Sequence, residues 1–299
     1  MSRYLAYQAH EMLVAPARNT AQVWRLVLGL VLLAGVYLQC NRILFRMLVT
    51  IQGEDAFTFF NVVYAGETPF AMYILLFSFG FMTLGVVVAL KVAHKRGVLP
   101  LFGNIPQALS QFRDVLTVLL LVNAAVFLLP PWGMGTPLVS NMSFTSWTLL
   151  LPISLLAIFV QVSAEEILFR GYIQQQLAAR FASPLVWMAF PAVVFGMGHY
   201  VPTEAGSNAT LIALWAVLFG ILMADLTARA GTLGPAIAVH FVNNVTAILI
   251  ISLPDDLSGL ALYLTPFSIS DVDALRAWLP VDFLFMIVSW LAARLAIRR

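Results

Sequence analysis

The stretch WTLLLPISLLAIFVQVSAEEILFRGY, residues 147–172, joins an uncharged apolar run to a sudden cluster of charge. Trp147 to Val162 contains no Asp, Glu, Lys or Arg, which is typical of a helix that crosses hydrocarbon. Glu165, Glu166 and Arg170 follow directly, so they lie in or beside a bilayer. Carboxylates at that depth are costly and are usually functional.

The composition of the chain predicts an integral membrane protein. Its 299 residues are 61% hydrophobic and 10% charged, and the mean hydropathy is +0.92. A soluble globular domain does not have such a composition. The net charge of +2, spread over short basic clusters, argues against a nucleic-acid partner. The single cysteine, Cys40, excludes an intrachain disulfide and a cysteine-based metal cluster.

The apolar runs predict an all-α, polytopic membrane helix bundle with about eight transmembrane helices. The predicted spans are Val23–Leu38, Pro69–Val92, Val115–Leu129, Trp147–Val162, Pro184–Gly198, Ala209–Leu226, Leu233–Leu253 and Val281–Ile297. Several are nearer fifteen residues than twenty, which is tolerable for helices that neighbouring helices screen from lipid.

The basic residues predict that both termini are cytoplasmic. Arg25 marks the start of the first span, and Lys95 and Arg96 follow the second, so these ends should face the cytoplasm. Arg42 and Arg46 do not fit this alternation and leave the first hairpin uncertain. We divide the chain into an N-terminal membrane region (1–146), a core with the polar motifs (147–252), and a loop with a last helix (253–299). Residues 1–22, broken by Pro16, predict a short interfacial helix.

Helical spacing separates the two adjacent glutamates. Glu166 lies four residues before Arg170 and shares its helix face, whereas Glu165 points about 100° away. One interpretation is a buried cluster of ion pairs that holds the helices together. The other is that Glu166 and Arg170 neutralise each other, leaving Glu165 free to take a proton.

Two further polar clusters lie in the apolar runs of the second half. His199 follows FGMG, in which Gly196 and Gly198 let another helix or a substrate approach, and Phe195 lies one turn earlier. The alternative is a satisfied interior histidine beside a packing phenylalanine.

His240 and Asn244, in the sequence HFVNN, are four residues apart and should project together. Their alternative role is interhelical hydrogen bonding, worth about 1 kcal/mol or less. If a turn near Pro184 closes a hairpin, Glu165 and His199 lie at similar depth, but His240 is only about ten residues from the turn at Gly231. Depth therefore favours the Glu165–His199 pair over the full quartet.

These side chains suit hydrolysis of a peptide bond. A carboxylate and an imidazole that hold one water form a general base, while a second imidazole and a carboxamide can stabilise an oxyanion. Ser163 is a poor nucleophile because it lies on roughly the opposite side of the helix from Glu165. Water is therefore the expected attacking group.

The motifs EEILFR (165–170), FGMGH (195–199) and HFVNN (240–244) resemble the three ordered motifs of the CPBP family, which comprises CAAX prenyl endopeptidases and bacterial Abi-type bacteriocin-immunity proteases. The resemblance covers about residues 147–252. It implies an all-helical intramembrane protease, here in a bacterial inner membrane. By this resemblance Glu165 is the catalytic glutamate, with Glu166 and Arg170 its supporting pair.

The same resemblance assigns the remaining roles. His199 helps to position water with Phe195 beside it, and His240 with Asn244 binds the oxyanion. Glu165, His199 and His240 can in principle hold zinc or another divalent metal. We expect metal-independent hydrolysis, because no HExxH pair is present and asparagine is a poor zinc ligand.

The expected partners are a protein or peptide substrate and the lipid bilayer. Neither the identity of the substrate, nor its prenylation, nor the oligomeric state can be inferred from the sequence. Two other classes of function stay open. The intramembrane Glu, His and Asp225 can relay protons or a cation in a transporter, although polar groups confined to one half disfavour it. A non-catalytic membrane partner or immunity protein is the third.

Overall fold

The computed structural model describes residues 5–53, 55–128, 137–255 and 257–298. Its principal helices, in chain order, are α1 (His10–Val14), α2 (Val23–Gln52), α3 (Ala56–Ala65), α4 (Pro69–His94), α5 (Ile105–Leu128), α6 (Phe144–Arg180), α7 (Leu185–Met197), α8 (Pro202–Ala230), α9 (Gly234–Ile250) and α10 (Val272–Ala296). The described residues also form three two-residue strands, β1 (Val139–Ser140), β2 (Ile251–Ser252) and β3 (Tyr263–Leu264), and short 3-10 helices such as Leu5–Tyr7, Ala15–Thr20 and Leu99–Leu101.

In the part of the chain that the structure describes, six helices are long and apolar enough to cross a membrane, namely α2, α4, α5, α6, α8 and α10. The other two predicted spans correspond to the shorter helices α7 and α9. The prediction of a polytopic, all-α integral membrane protein is confirmed. The count of eight spans and the cytoplasmic side of both termini stay predictions, and Leu129, the end of the third predicted span, lies outside the described residues.

Several helices are longer than the apolar runs that predicted them. The first continues past Leu38 to Gln52, where Gly53 ends it in a left-handed conformation with φ 69°. Arg42 and Arg46 are therefore part of α2 rather than of a hairpin loop. Hydropathy detects only the segment that faces hydrocarbon, whereas the backbone continues as helix wherever its polar side chains reach water or protein partners.

Helix α9, which carries His240, lies at the centre of the bundle. It packs against α5, α6 and α8, and every residue from Gly234 to His240 is buried. Gly234 permits this close packing, because a Cβ there would overlap the carbonyl oxygen of Ala108 in α5. Protein rather than lipid surrounds this half of the helix, so a short helix is tolerated here.

Asp225 in α8 anchors both ends of the chain. Its carboxylate accepts hydrogen bonds from the Tyr7 hydroxyl at 2.8 Å and from the Trp290 indole nitrogen at 3.0 Å. Arg229, one turn later, forms a 2.8 Å ion pair with it. The N-terminal segment and α10 are thus fastened to one carboxylate, which favours a structural role for Asp225 over a role in proton relay.

A small sheet, which the sequence analysis did not predict, covers one end of the bundle. Its strand order is β1-β3-β2, with β1 antiparallel and β2 parallel to β3, and Val139 pairs with Leu264. The side chain of Asn141 donates to the carbonyl oxygens of Ser258 and Ala261. Strands of two residues leave no periodic pattern, so they escape prediction from sequence.

We predict that Gly234→Ala destabilises the bundle by about 1–3 kcal/mol, because the added methyl group forces α9 away from α5. Thermal unfolding in detergent measures the effect. Gly35→Ala is the matched control, since a Cβ at Gly35 in α2 meets nothing within 4 Å. Equal unfolding temperatures for the two variants would contradict the packing described for α9.

Candidate active site

Glu166 and Arg170 form a buried ion pair inside the bundle. The guanidinium Nη1 donates to Glu166 Oε1 at 2.9 Å, and the two side chains are 0% and 2% exposed. Arg170 Nη2 also donates to the carbonyl oxygen of Gly220 in α8, at 3.3 Å. The pairing expected from the four-residue spacing is confirmed. Both Arg170 and the following turn belong to a π-helical stretch, Ile167–Gln174, and such stretches are frequent at functional sites.

His240 contacts both glutamates. Its Nδ1 donates to Glu166 Oε1 at 2.8 Å, and its Nε2 lies 3.5 Å from Glu165 Oε2. The depth argument, which placed His240 below the Glu165–His199 pair, is therefore wrong for His240. One imidazole ring instead joins the ion pair of α6 to the second glutamate.

The buried turn between α8 and α9 explains this difference in depth. Gly231 has a φ of 70°, and a Cβ there would lie 2.5 Å from the carbonyl oxygen of Ala9. Thr232 and Leu233 are fully buried. The N-terminal segment covers the turn, so the turn does not mark the edge of the membrane. A depth estimate that counts residues from this turn to His240 therefore starts inside the protein and not at the membrane surface.

His199 lies just beyond the end of α7 and is half-buried. Its Nδ1 is 2.9 Å from the carbonyl oxygen of Phe195, and because a carbonyl only accepts, Nδ1 carries the hydrogen. In the neutral ring, Nε2 then has a free lone pair. Within the described ranges His199 forms no hydrogen bond or ion pair with Glu165 or Glu166, so the structure does not bring the predicted Glu165–His199 pair into direct contact.

Phe195 occupies the space between the charged groups. Its ring centroid lies 4.5 Å from that of His199 and 6.3 Å from that of His240, and the Arg170 guanidinium lies over its face at 5.1 Å. Gly196, the next residue, lets α8 approach, because a Cβ there would lie 2.8 Å from the Ala213 carbonyl oxygen. The close helix contact expected from this glycine is present.

Asn244 lies one turn after His240 but is bonded elsewhere. Its Nδ2 donates to Gln161 Oε1 at 2.8 Å, and its Oδ1 accepts from Asn243 at 3.2 Å. A carboxamide has two N–H donors, so one stays available for a ligand. The predicted His240–Asn244 pair shares a helix face, while the hydrogen bond that orients Asn244 comes from α6.

Two residues at this site were missed by the sequence analysis. Gln161 is buried, and its position four residues before Glu165 was a usable signal, since it is polar within an apolar run. Phe219 of α8 packs edge-on against His240 with centroids 5.0 Å apart. No spacing links Phe219 to the motifs, because its contact with His240 depends on how distant helices pack.

The charges of the cluster formed by Glu165, Glu166, Arg170 and His240 balance only when one additional proton is included. Two carboxylates and one guanidinium leave a net charge of −1 in a low-dielectric interior, where an unbalanced charge is costly. A proton held by Glu165 or His240, which lie 3.5 Å apart, makes the cluster neutral. Glu166 accepts from both Arg170 and His240 through Oε1. Glu165 is therefore the carboxylate of the two that has no close hydrogen bond within the described residues.

The arrangement does not resemble a preformed metal centre. Among the described residues, no group of three or more His, Cys, Asp and Glu side chains is placed to hold a metal ion. Glu165 and His240 are close together, but the Nδ1 of His240 is committed to Glu166 and His199 faces the Phe195 carbonyl. Glu165, His199 and His240 would have to move together to bind zinc.

We predict that Glu166→Gln destabilises the protein by roughly 3 to 5 kcal/mol, because it strands the buried Arg170 cation. Combining it with Arg170→Met removes both charges and should restore much of that stability. Thermal unfolding in detergent, with Glu165→Gln as the matched control, measures both effects. If Glu165→Gln is instead the less stable single variant, Glu165 is the structural carboxylate and Glu166 the free one, which contradicts the roles assigned to them.

Comparison with known proteins supports the assignment of these motifs. Residues 145–246 match the family described as type II CAAX prenyl endopeptidase Rce1-like. The uncharacterized protein YyaK of Bacillus subtilis (strain 168) is 20% identical over 255 residues, which cover 82% of this chain and 84% of the relative. No solved structure matches the chain significantly. The resemblance to the CPBP family is thus confirmed for residues 145–246, the part of the chain that matches its Rce1-like CAAX prenyl endopeptidases.

Proposed function

We propose that the protein is an intramembrane endopeptidase in which Glu165 and His199 activate a water molecule. The observation that carries the proposal is the unequal setting of the two glutamates. Glu166 binds Arg170 at 2.9 Å and His240 at 2.8 Å, while the nearest partner of Glu165 is His240 Nε2 at 3.5 Å. A base needs a carboxylate that is close to the reaction but not committed to an ion pair.

The water would lie between Glu165 and the free Nε2 of His199. The Nδ1–H bond to Phe195 fixes the histidine ring with its lone pair turned away from its own helix. One water can accept and donate across a gap that the two side chains do not close directly. Glu165 would take a proton from this water while the water oxygen attacks the carbonyl carbon of the scissile peptide bond.

His240 and Asn244 would stabilise the oxyanion that forms. Asn244 has one N–H left after its bond to Gln161, and His240 can offer Nε2–H when it holds the shared proton. Donors that are already oriented by Gln161 and Glu166 lose little freedom as the charge develops. Collapse of the intermediate breaks the C–N bond, and the proton on Glu165 passes to the departing amine.

The substrate would be a protein or a membrane-associated peptide tail, and the protein would act within a bacterial inner membrane. No step in this scheme requires a metal. If zinc or another divalent ion is bound, Glu165, His199 and His240 are the residues that would hold it, with its charge polarising water or the carbonyl oxygen. The proposed mechanism does not depend on the oligomeric state of the protein.

Two other functions are less well supported. A transporter would use intramembrane carboxylates that change partners, yet Asp225 is held by Tyr7, Arg229 and Trp290. A non-catalytic membrane partner or immunity protein would have no use for a weakly paired carboxylate 3.5 Å from a histidine. Hydrolysis of a peptide by the purified protein separates all three.

We predict that Glu165→Gln folds normally but loses about a thousandfold or more of its peptidase activity, because an amide cannot accept the proton of water. Cleavage of a defined peptide library in detergent micelles, followed by mass spectrometry of new N-termini, measures the rate. Ser163→Ala is the matched control on the same helix and should retain activity. Near-normal turnover by Glu165→Gln would defeat the mechanism.

We also predict that chelation leaves activity unchanged and that elemental analysis finds less than one metal per chain. Water activated by Glu165 and His199 alone needs no Lewis acid. The purified protein is treated with a strong chelator and assayed on the same peptide library. Loss of activity that stoichiometric zinc restores would assign Glu165, His199 and His240 to a metal centre instead.

A further inference from the structure

A cavity lies beside the candidate active site, between the end of α9 and the middle of α10. Its volume is about 400 Å³, which is within the range of ligand pockets in general. Asn243 and Thr246 of α9 line it on one side, and Trp278, Asp282 and Phe285 of α10 line it on the other. Most of its remaining described wall is apolar, and Asp282 is the only charged residue among the lining residues.

Asp282 is an exposed carboxylate on the α10 side of the cavity. It is the eleventh residue of α10, so it lies about 15 Å from the start of that helix. Within the described ranges it has no hydrogen bond or ion pair. Arg276 of the same helix donates instead to Asn208 at 3.0 Å, and Arg294 lies over the ring of Trp290. The carboxylate can therefore pair with a cation that enters the cavity.

Shared residues link the cavity to the candidate active site. A separate small space of about 10 Å³ has Asn243 and Phe285 in common with the cavity. Phe219 also lines that small space and packs against His240, with ring centroids 5.0 Å apart. Asn243 donates to Asn244 at 3.2 Å. The cavity is therefore a neighbour of His240 and Asn244.

The chemistry of the walls points to one kind of occupant. Apolar walls around a single carboxylate suit a side chain with a methylene stem and a cationic end, since such chains bury the stem and keep the charge paired. Lysine and arginine have this form. The amide of Asn243 and the hydroxyl of Thr246 can hydrogen-bond the backbone that brings the side chain in.

We propose that this cavity is a specificity subsite, which binds a lysine or arginine side chain of the peptide substrate by pairing it with Asp282. The inference rests on the proposed function, because it gives the peptidase a preference for substrates with a basic residue near the cleaved bond. It adds a specificity-determining carboxylate that is separate from Glu165 and takes no part in the chemistry.

Binding can be tested without catalysis. Decylammonium is the probe, decanol is its neutral match, and unfolding temperature in uncharged detergent micelles is the readout. Decylammonium should raise the unfolding temperature of the wild type, and Asp282→Asn should abolish that increase. Asp273→Asn, at the exposed start of α10, is the matched control and should respond like the wild type. Equal stabilisation by decanol, or an undiminished response of Asp282→Asn, would overturn the proposal.

Specificity is tested with the peptide library. Wild-type cleavage sites should be enriched in Lys or Arg at one fixed position, Asp282→Asn should lower that preference about tenfold or more, and Asp282→Lys should shift it to Asp or Glu. Cleavage by the wild type without such enrichment would overturn the subsite while supporting the peptidase. If the wild type cleaves nothing, the proposed function fails, and the decylammonium measurement decides whether the cavity binds cations.

Discussion

The ion pair between Glu166 and Arg170 is the constraint on which the site depends. Two opposite charges buried in a low-dielectric bundle are stable only when each finds further partners. Arg170 finds the Gly220 carbonyl in α8, and Glu166 finds His240 in α9. One pair on α6 therefore fixes two other helices at the level of the three polar motifs. The buried turn at Gly231 follows from this arrangement, since α9 must begin deep in the protein to bring His240 to Glu166.

The same constraint gives the two neighbouring glutamates, Glu165 and Glu166, different surroundings. Because they project about 100° apart on the helix, only one can face Arg170. Glu166 binds a cation and an imidazole through one oxygen. Among the described residues, Glu165 has a single long contact, 3.5 Å from His240, and it is 12% exposed. Adjacent residues of identical chemistry thus acquire different partners from geometry alone.

The sequence predicts the features that depend on local spacing, such as helices and side-chain pairs on one helix. It does not predict the contacts that depend on how distant helices pack. Hydropathy locates the long helices, though not α3, and the four-residue rule identifies the partner of Glu166, because both properties are local. The depth of His240 cannot be derived this way, since it depends on the N-terminal segment that covers Gly231. Gln161 was predictable from its position before Glu165. Asp282 was overlooked because one charge in an apolar run barely lowers an average over the whole helix.

Partners, more than burial, distinguish structural from reactive carboxylates in this bundle. Asp225 and Glu166 each receive donors from several helices or segments, and moving either would break contacts across the protein. Glu165 has one long contact, and Asp282 has none within the described residues. An unpaired carboxylate in a membrane protein is costly unless something else supplies the compensating charge. In the proposed mechanism that charge is a proton taken from water by Glu165, and in the proposed subsite it is the cationic end of a side chain bound by Asp282. Both proposals rest on the same feature, a carboxylate whose charge is not balanced by a close partner among the described residues.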